Sequence, residues 1–199
     1  MFSYCGNNSV ICSDPSGYYC VSILDTDPDC GLFITDQAAP GIAEKQFGIV
    51  SVSHGGCGAI ATYNASLVLN DGESFDTVLG YYNSKQSRRL TAGGLLGMFP
   101  GAVASYFEEQ GYTVVMTDSW DGIEVYSKTA NACIMYYAFP REYGSLKLVG
   151  AHFVAYQRVG DKYTAYITES STGVSSFSSP VDYAYRYGRL YAIGIFIYE

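Results

Sequence analysis

Cys57 stands in Gly55-Gly56-Cys57-Gly58, directly before a run in which Ile60, Tyr63, Leu67 and Val68 recur at helical spacing. A cysteine that opens a helix meets unpaired backbone N–H groups and the positive end of the helix dipole, and both stabilise a thiolate. The same N–H groups can receive the oxyanion that forms when a thiolate attacks a carbonyl. The flanking glycines remove the Cβ atoms that would hold a substrate backbone away. The competing reading is a small side chain buried in a glycine-rich turn.

A thiol nucleophile needs a base, and the chain has two histidines, His54 and His152. His152 opens the strand pattern Gly150-Ala151-His152-Phe153-Val154-Ala155-Tyr156, where a rigid imidazole is placed to take the thiol proton. The alternative is a core histidine bonded to a backbone carbonyl. His54, three residues before Cys57, is expected to bond within its own loop. Gly160-Asp161, between Val159 and Lys162, is a two-residue hairpin signal of type II′. Counting back from that turn brings His152 opposite Glu169 on one sheet face. Glu169 is therefore a candidate to hold the imidazole in the needed tautomer. A bulge passes the role to Thr168 or Ser170, and without either contact Glu169 is a solvated strand-end charge. Asn64 lies on the Cys57 face of the helix two turns along and is expected to bond buried backbone.

The elements that must position these groups follow from periodicity. Residues 1–45 carry Asn7-Asn8, Pro15-Ser16-Gly17 and Ala39-Pro40-Gly41, which is turn chemistry, so they read as an irregular arm with a short strand at Tyr18–Leu24. Residues 46–199 read as one domain. It begins with helices at Cys57–Leu69, at Ser74–Tyr82 with Ser74 as N-cap, and at Gly101–Gln110 with Gly111 as C-cap. Strands are expected at Tyr112–Thr117, Ile123–Tyr126, Ala132–Ala138, Ala151–Arg158, Lys162–Thr168 and Arg189–Tyr198. Helices first and an antiparallel sheet last make an α+β fold with the two segregated. Trp120 is expected to pack at a turn, and the tyrosine-rich end from Tyr183 to Tyr198 to form a strand face.

Composition narrows the function classes. The 199 residues are 48% hydrophobic and 15% charged, which excludes a mainly disordered chain. A net charge of −8 repels a phosphate backbone, so nucleic acid is not an expected partner. The longest nearly apolar run, Ala92–Ala104, holds four glycines and a proline and is too short for membrane insertion. The N-terminus shows no basic segment followed by an apolar one, so no secretory signal is read and a cytoplasmic location is favoured. Cys5, Cys12, Cys20 and Cys30 fall in the first thirty residues without a Cys-x-x-Cys pair or a nearby histidine. Reduced thiols are the simplest reading of them, ahead of disulfides or a metal site. No metal or cofactor is expected, and Gly93–Gly97 lacks the Gly-Lys-Ser/Thr ending of a phosphate loop.

Residues 54–65, His-Gly-Gly-Cys-Gly-Ala-Ile-Ala-Thr-Tyr-Asn-Ala, resemble the nucleophile helix of papain-like cysteine peptidases, most closely the bacterial double-glycine (bacteriocin-processing) branch. Ala59 stands where that branch usually has proline. Gly93-Gly94-Leu95-Leu96-Gly97-Met98-Phe99-Pro100, followed by a helix and Gly111-Tyr112-Thr113-Val114, is similar to the branch's second block. Gly150-Ala151-His152-Phe153-Val154 and its hairpin resemble the histidine block. The resemblance spans about residues 46–170. It implies a papain-like fold with Cys57 on a helix packed against a sheet bearing His152, and an acyl-enzyme route on a peptide or protein substrate. It departs at two places. The family's third residue is usually Asn or Asp, and the matching region is Ile167-Thr168-Glu169. Its oxyanion glutamine falls near Ser51, while the nearest glutamine is Gln46. A non-catalytic peptide-binding domain and an acyl-transferring enzyme are the alternatives on the same scaffold.

Overall fold

The computed structural model describes residues 33–71, 73–84, 89–143, 146–166 and 174–199. Two short strands, β1 (Gln46–Phe47) and β2 (Val50–Ser51), pair antiparallel and lead into a one-turn helix, α1 (Val52–Gly55). Gly56 joins α1 to α2 (Cys57–Val68). Then come α3 (Phe75–Ser84), a 3-10 turn at Thr91–Gly94, and α4 (Pro100–Glu109). The remaining order is β3 (Thr113–Thr117), α5 (Trp120–Tyr126), β4 (Ala132–Tyr143), β5 (Leu146–Val159), β6 (Lys162–Tyr166), β7 (Val174–Phe177), α6 (Pro180–Arg186) and β8 (Tyr191–Tyr198). The six long strands form one antiparallel sheet in the order β3-β8-β4-β5-β6-β7. The protein is thus α+β.

The helical segments expected at Cys57, Ser74 and Gly101 form within a residue or two of those bounds. Ser74 Oγ accepts the Thr77 N–H at 3.2 Å and starts α3. Pro100 enters α4 at a position where its missing N–H costs no bond. Gly111, at φ +95°, ends α4, with the Tyr112 N–H returning to the Phe107 carbonyl at 3.0 Å. The hairpin turn also follows the reading: Val159 pairs with Lys162 and Arg158 with Tyr163 around Gly160, at φ +65°.

Two expectations give way to helices. Ile123–Tyr126 is the second half of α5, because Ser119 caps it by accepting the Gly122 N–H at 3.4 Å and Ile123 turns into the core. Asp121-Gly122, which resembles a turn, is that helix's first turn, and Trp120 sits at its start rather than in a turn. Pro180–Arg186 is α6, capped by Ser179, whose Oγ accepts the Asp182 N–H at 3.1 Å. Only Tyr191–Tyr198 of the tyrosine-rich end is strand. The strand expected at Tyr18–Leu24 and the four N-terminal cysteines lie outside the described residues.

The sheet separates two apolar layers. Side chains alternate along each strand, so β5 sends Phe153 and Ala155 to one face and Val154 and Tyr156 to the other. The first face packs on α2, α3 and α4, the second on α5 and α6. Within α2 only Cys57 and Val68 escape full burial. Its small residues, Gly58, Ala59, Ala61 and Ala65, let it lie close to the sheet. Its buried hydroxyls are satisfied, with Thr62 Oγ1 donating to the Gly58 carbonyl at 2.8 Å and Ser66 Oγ to the Thr62 carbonyl at 3.0 Å. Residues 33–45 hold no helix or strand, yet Phe33, Ile34, Ala39 and Ile42 are buried in the same layer as α2.

Candidate active site

Three pieces of chain build the N-terminus of α2. The β1–β2 hairpin delivers α1, whose first N–H groups bond back: Val52 N–H to the Lys45 carbonyl at 2.8 Å and Ser53 N–H to the Ala43 carbonyl at 3.1 Å. The Val52 carbonyl accepts the Gly56 N–H at 2.8 Å and the Gln37 side-chain amide at 2.5 Å, which fixes the joint one residue before the thiol. The glycine-rich turn after Leu90 closes the other side. A Cβ on Gly55 would stand 2.3 Å from the Gly94 carbonyl oxygen, and one on Gly58 would stand 2.4 Å from Met98 Sδ. Glycine is therefore required at Gly55, where the obstacle is the backbone of the turn, whereas at Gly58 the Met98 side chain would have to move.

Cys57 is half-buried at this end and packs on the α2–α4 side of the sheet. Its neighbour Gly58 faces Phe153 of β5, 3.2 Å from an ideal Cβ to Cδ2. Phe153 pairs with Tyr136 of β4, and their rings meet edge-on with centroids 5.0 Å apart. Tyr136 is thus a polar group on the face that meets Cys57. Burial raises its phenol pKa, and the charge of the Cys57 thiolate adds to that shift. Cys133 lies on the opposite face of β4, where burial pushes its thiol up.

The residues proposed from sequence are placed unequally. His152 is 3% exposed and pairs with Tyr137, next to Phe153 in an unbroken ladder. Register sets the Cα of His152 beside that of Tyr137, one residue from Phe153, the β5 residue that meets α2 at Gly58. Glu169, Thr168 and Ser170 lie outside the described residues. Gln46 and Ser51 do come together as ladder partners. Their polar groups have local uses: Gln46 Nε2 donates to the Gly48 carbonyl at 3.1 Å, and Ser51 Oγ shares a hydrogen bond with Ser53 Oγ at 2.8 Å.

The scan against protein-family models finds no match, and neither does the search of curated proteins. The functional reading therefore rests on the residues themselves.

His54 is exposed on α1 rather than in a loop. Asn64 bonds backbone as expected, with Oδ1 accepting the Ile34 N–H and Nδ2 donating to the Ile34 carbonyl, both at 2.9 Å. Gln37 and Tyr136 escape a sequence reading. Gln37 sits in a segment without periodicity, twenty residues before the thiol. Tyr136 is one of 20 tyrosines, and only strand register distinguishes it. Among the described residues no group of three or more His, Cys, Asp and Glu side chains is placed to hold a metal ion, and no helix is long and apolar enough to cross a membrane.

Proposed function

We propose that the protein is a cysteine-dependent amide hydrolase of papain-like type, with Cys57 as nucleophile and a peptide or protein as substrate. The observation that carries this reading is the placement of Cys57. In a helix otherwise packed away from solvent, the thiol alone reaches the surface at the N-terminal end, where glycines clear the approach. The thiolate attacks the amide carbonyl carbon, and the oxyanion formed is met by the helix's first N–H groups. Collapse breaks the C–N bond, and the departing amine takes a proton from water. A water molecule then attacks the thioester, releasing the acid and a proton and returning the thiolate. An amine in place of that water gives acyl transfer.

Iodoacetamide at pH 6 tests the nucleophile. Cys57 is expected to be alkylated well ahead of Cys133, whose thiol is buried and held protonated. Peptide mass spectrometry reads the order of labelling. A Cys57 that stays unlabelled while other cysteines react would remove the nucleophile.

The base in this reading is His152, and His152→Ala is expected to slow the pH 6 alkylation of Cys57 by about tenfold or more. A folded His152→Ala protein whose Cys57 reacts at the wild-type rate would remove the imidazole as the base.

A further inference from the structure

We propose that Phe139 and Arg189 are positioning residues for His152: the Phe139 ring, held by the Arg189 guanidinium, braces β5 two residues before the imidazole. This inference rests on the reading of His152 as the base for Cys57 and names what holds that base in place. His152 lies in a thinly supported stretch of strand. Among the described residues β5 pairs with β6 only from Ala155 onward, so residues 150–154 have β4 as their one described neighbour in the sheet. Gly150 and Ala151 precede His152, and a glycine inside a strand offers no side chain to pack. Phe139, the direct ladder partner of Gly150, fills that place. A Cβ on Gly150 would stand 2.7 Å from Phe139 Cε2 and 2.8 Å from Cζ, so the ring covers the glycine. An aromatic ring set across the ladder over a glycine restores the packing that the glycine lacks.

The ring is itself held. The Arg189 guanidinium carbon lies 4.3 Å from the Phe139 ring centroid, within the range of a cation–π contact. Backbone bonds fix Arg189 from both sides. Its N–H donates to the Ala184 carbonyl at 2.8 Å, and the N–H of Leu190 donates to the Ala138 carbonyl at 3.0 Å. Its Nη2 donates to Tyr183 Oη at 3.1 Å. Tyr183, on α6, is buried and meets Tyr137 with ring centroids 5.0 Å apart. Tyr137 is the ladder partner of His152, and its hydroxyl donates to the Pro180 carbonyl at 2.7 Å. Two routes thus run from α6 to this part of β5, one through Arg189 and Phe139 to Gly150, the other through Tyr137 to the level of His152. A base whose strand is packed in this way keeps the geometry that proton transfer needs, and a small displacement is costly. Phe139 has no proton to give and acts only through the strand.

The test pairs two readouts on the full chain: amide hydrogen exchange along β5, and the pH profile of Cys57 alkylation by iodoacetamide. In wild-type protein the imidazolium is expected to hold the alkylation midpoint below the ordinary thiol value of about 8.5, and His152→Ala should remove that depression. Phe139→Leu keeps an apolar side chain but loses the ring. It should speed amide exchange over residues 150–154 by about tenfold and raise the midpoint by about one pH unit. Phe139→Tyr keeps the ring and should restore both. Arg189→Gln should move both in the same direction by less. Ile123→Ala, a core truncation on α5, should lower the melting temperature without moving the midpoint. Unchanged exchange in Phe139→Leu overturns the brace. Faster exchange with an unmoved midpoint overturns the positioning role. A midpoint that moves in Arg189→Gln but not in Phe139→Leu assigns the effect to charge and overturns it too. A wild-type midpoint retained in His152→Ala overturns the base reading instead, and the inference falls with it whatever the exchange shows.

Discussion

Gly55→Ala is expected to destabilise the protein by about 3 kcal/mol, whereas the same substitution at Gly80 should stabilise it by roughly 0.5–1 kcal/mol. The difference is entirely one of surroundings. A Cβ on Gly55 meets the Gly94 carbonyl oxygen at 2.3 Å, and nothing lies within 4 Å of one on Gly80. Gly94 cannot simply retreat. Its carbonyl accepts the Gly97 N–H at 3.0 Å, and its φ of +100° sits in a region that a turn of fixed shape imposes. Gly80 is an exposed position inside α3, where a methyl removes backbone freedom from the unfolded chain without a clash. Thermal melts should separate the two variants in sign, with Gly55→Ala lower than wild type by roughly 6–12 °C. A Gly55→Ala protein that melts with the wild type would mean the turn is free to move and does not fix the end of α2.

Asn64→Ala is expected to cost a comparable amount, about 3 kcal/mol, for a different reason. The carboxamide satisfies both backbone groups of Ile34 in a fully buried site. Removing it leaves a buried N–H and a buried carbonyl unpaired, each worth roughly 1–3 kcal/mol. The strap from Phe33 to Gln37 lies along α2 between this clamp and the Gln37 bond to Val52. Loosening it should therefore reach the thiol end. The melt should fall by several degrees, and the Ile34 amide should exchange with solvent much faster than in wild type. Slow exchange at Ile34 in Asn64→Ala would show that the strap is held by the packing of Phe33 alone, whose ring stacks on Tyr166 at 3.9 Å.

Features set by local chemistry were legible in the sequence. The helix α2 announces itself by spacing and by the glycines that precede it. The Gly160-Asp161 turn specifies a register that the β5–β6 ladder follows residue for residue. The failures arise where local signals serve two structures. Asp121-Gly122 suits a hairpin turn and equally the first turn of a helix, and the serine cap two residues earlier decides between them. The register count from the same turn to Glu169 ends outside the described residues. Gln37 was beyond reach for a simpler reason: nothing local marks a side chain whose partner is a carbonyl fifteen residues on.

The position of β8 bears on how the chain reaches this state. Residues Tyr191–Tyr198 lie between β3 and β4, although they follow every other strand in sequence. Until they emerge from the ribosome, β3 has no neighbour in the sheet, and one long edge of β4 stays open. Ile195 and Ile197, which close the layer beneath α2, are absent for the same interval. Synthesis of α2 thus precedes its floor by well over a hundred residues. The chain cannot condense in the order in which it is made. The layer on which α2 rests is finished only when β8 has joined the sheet, so α2 and its thiol wait on that strand for their finished environment.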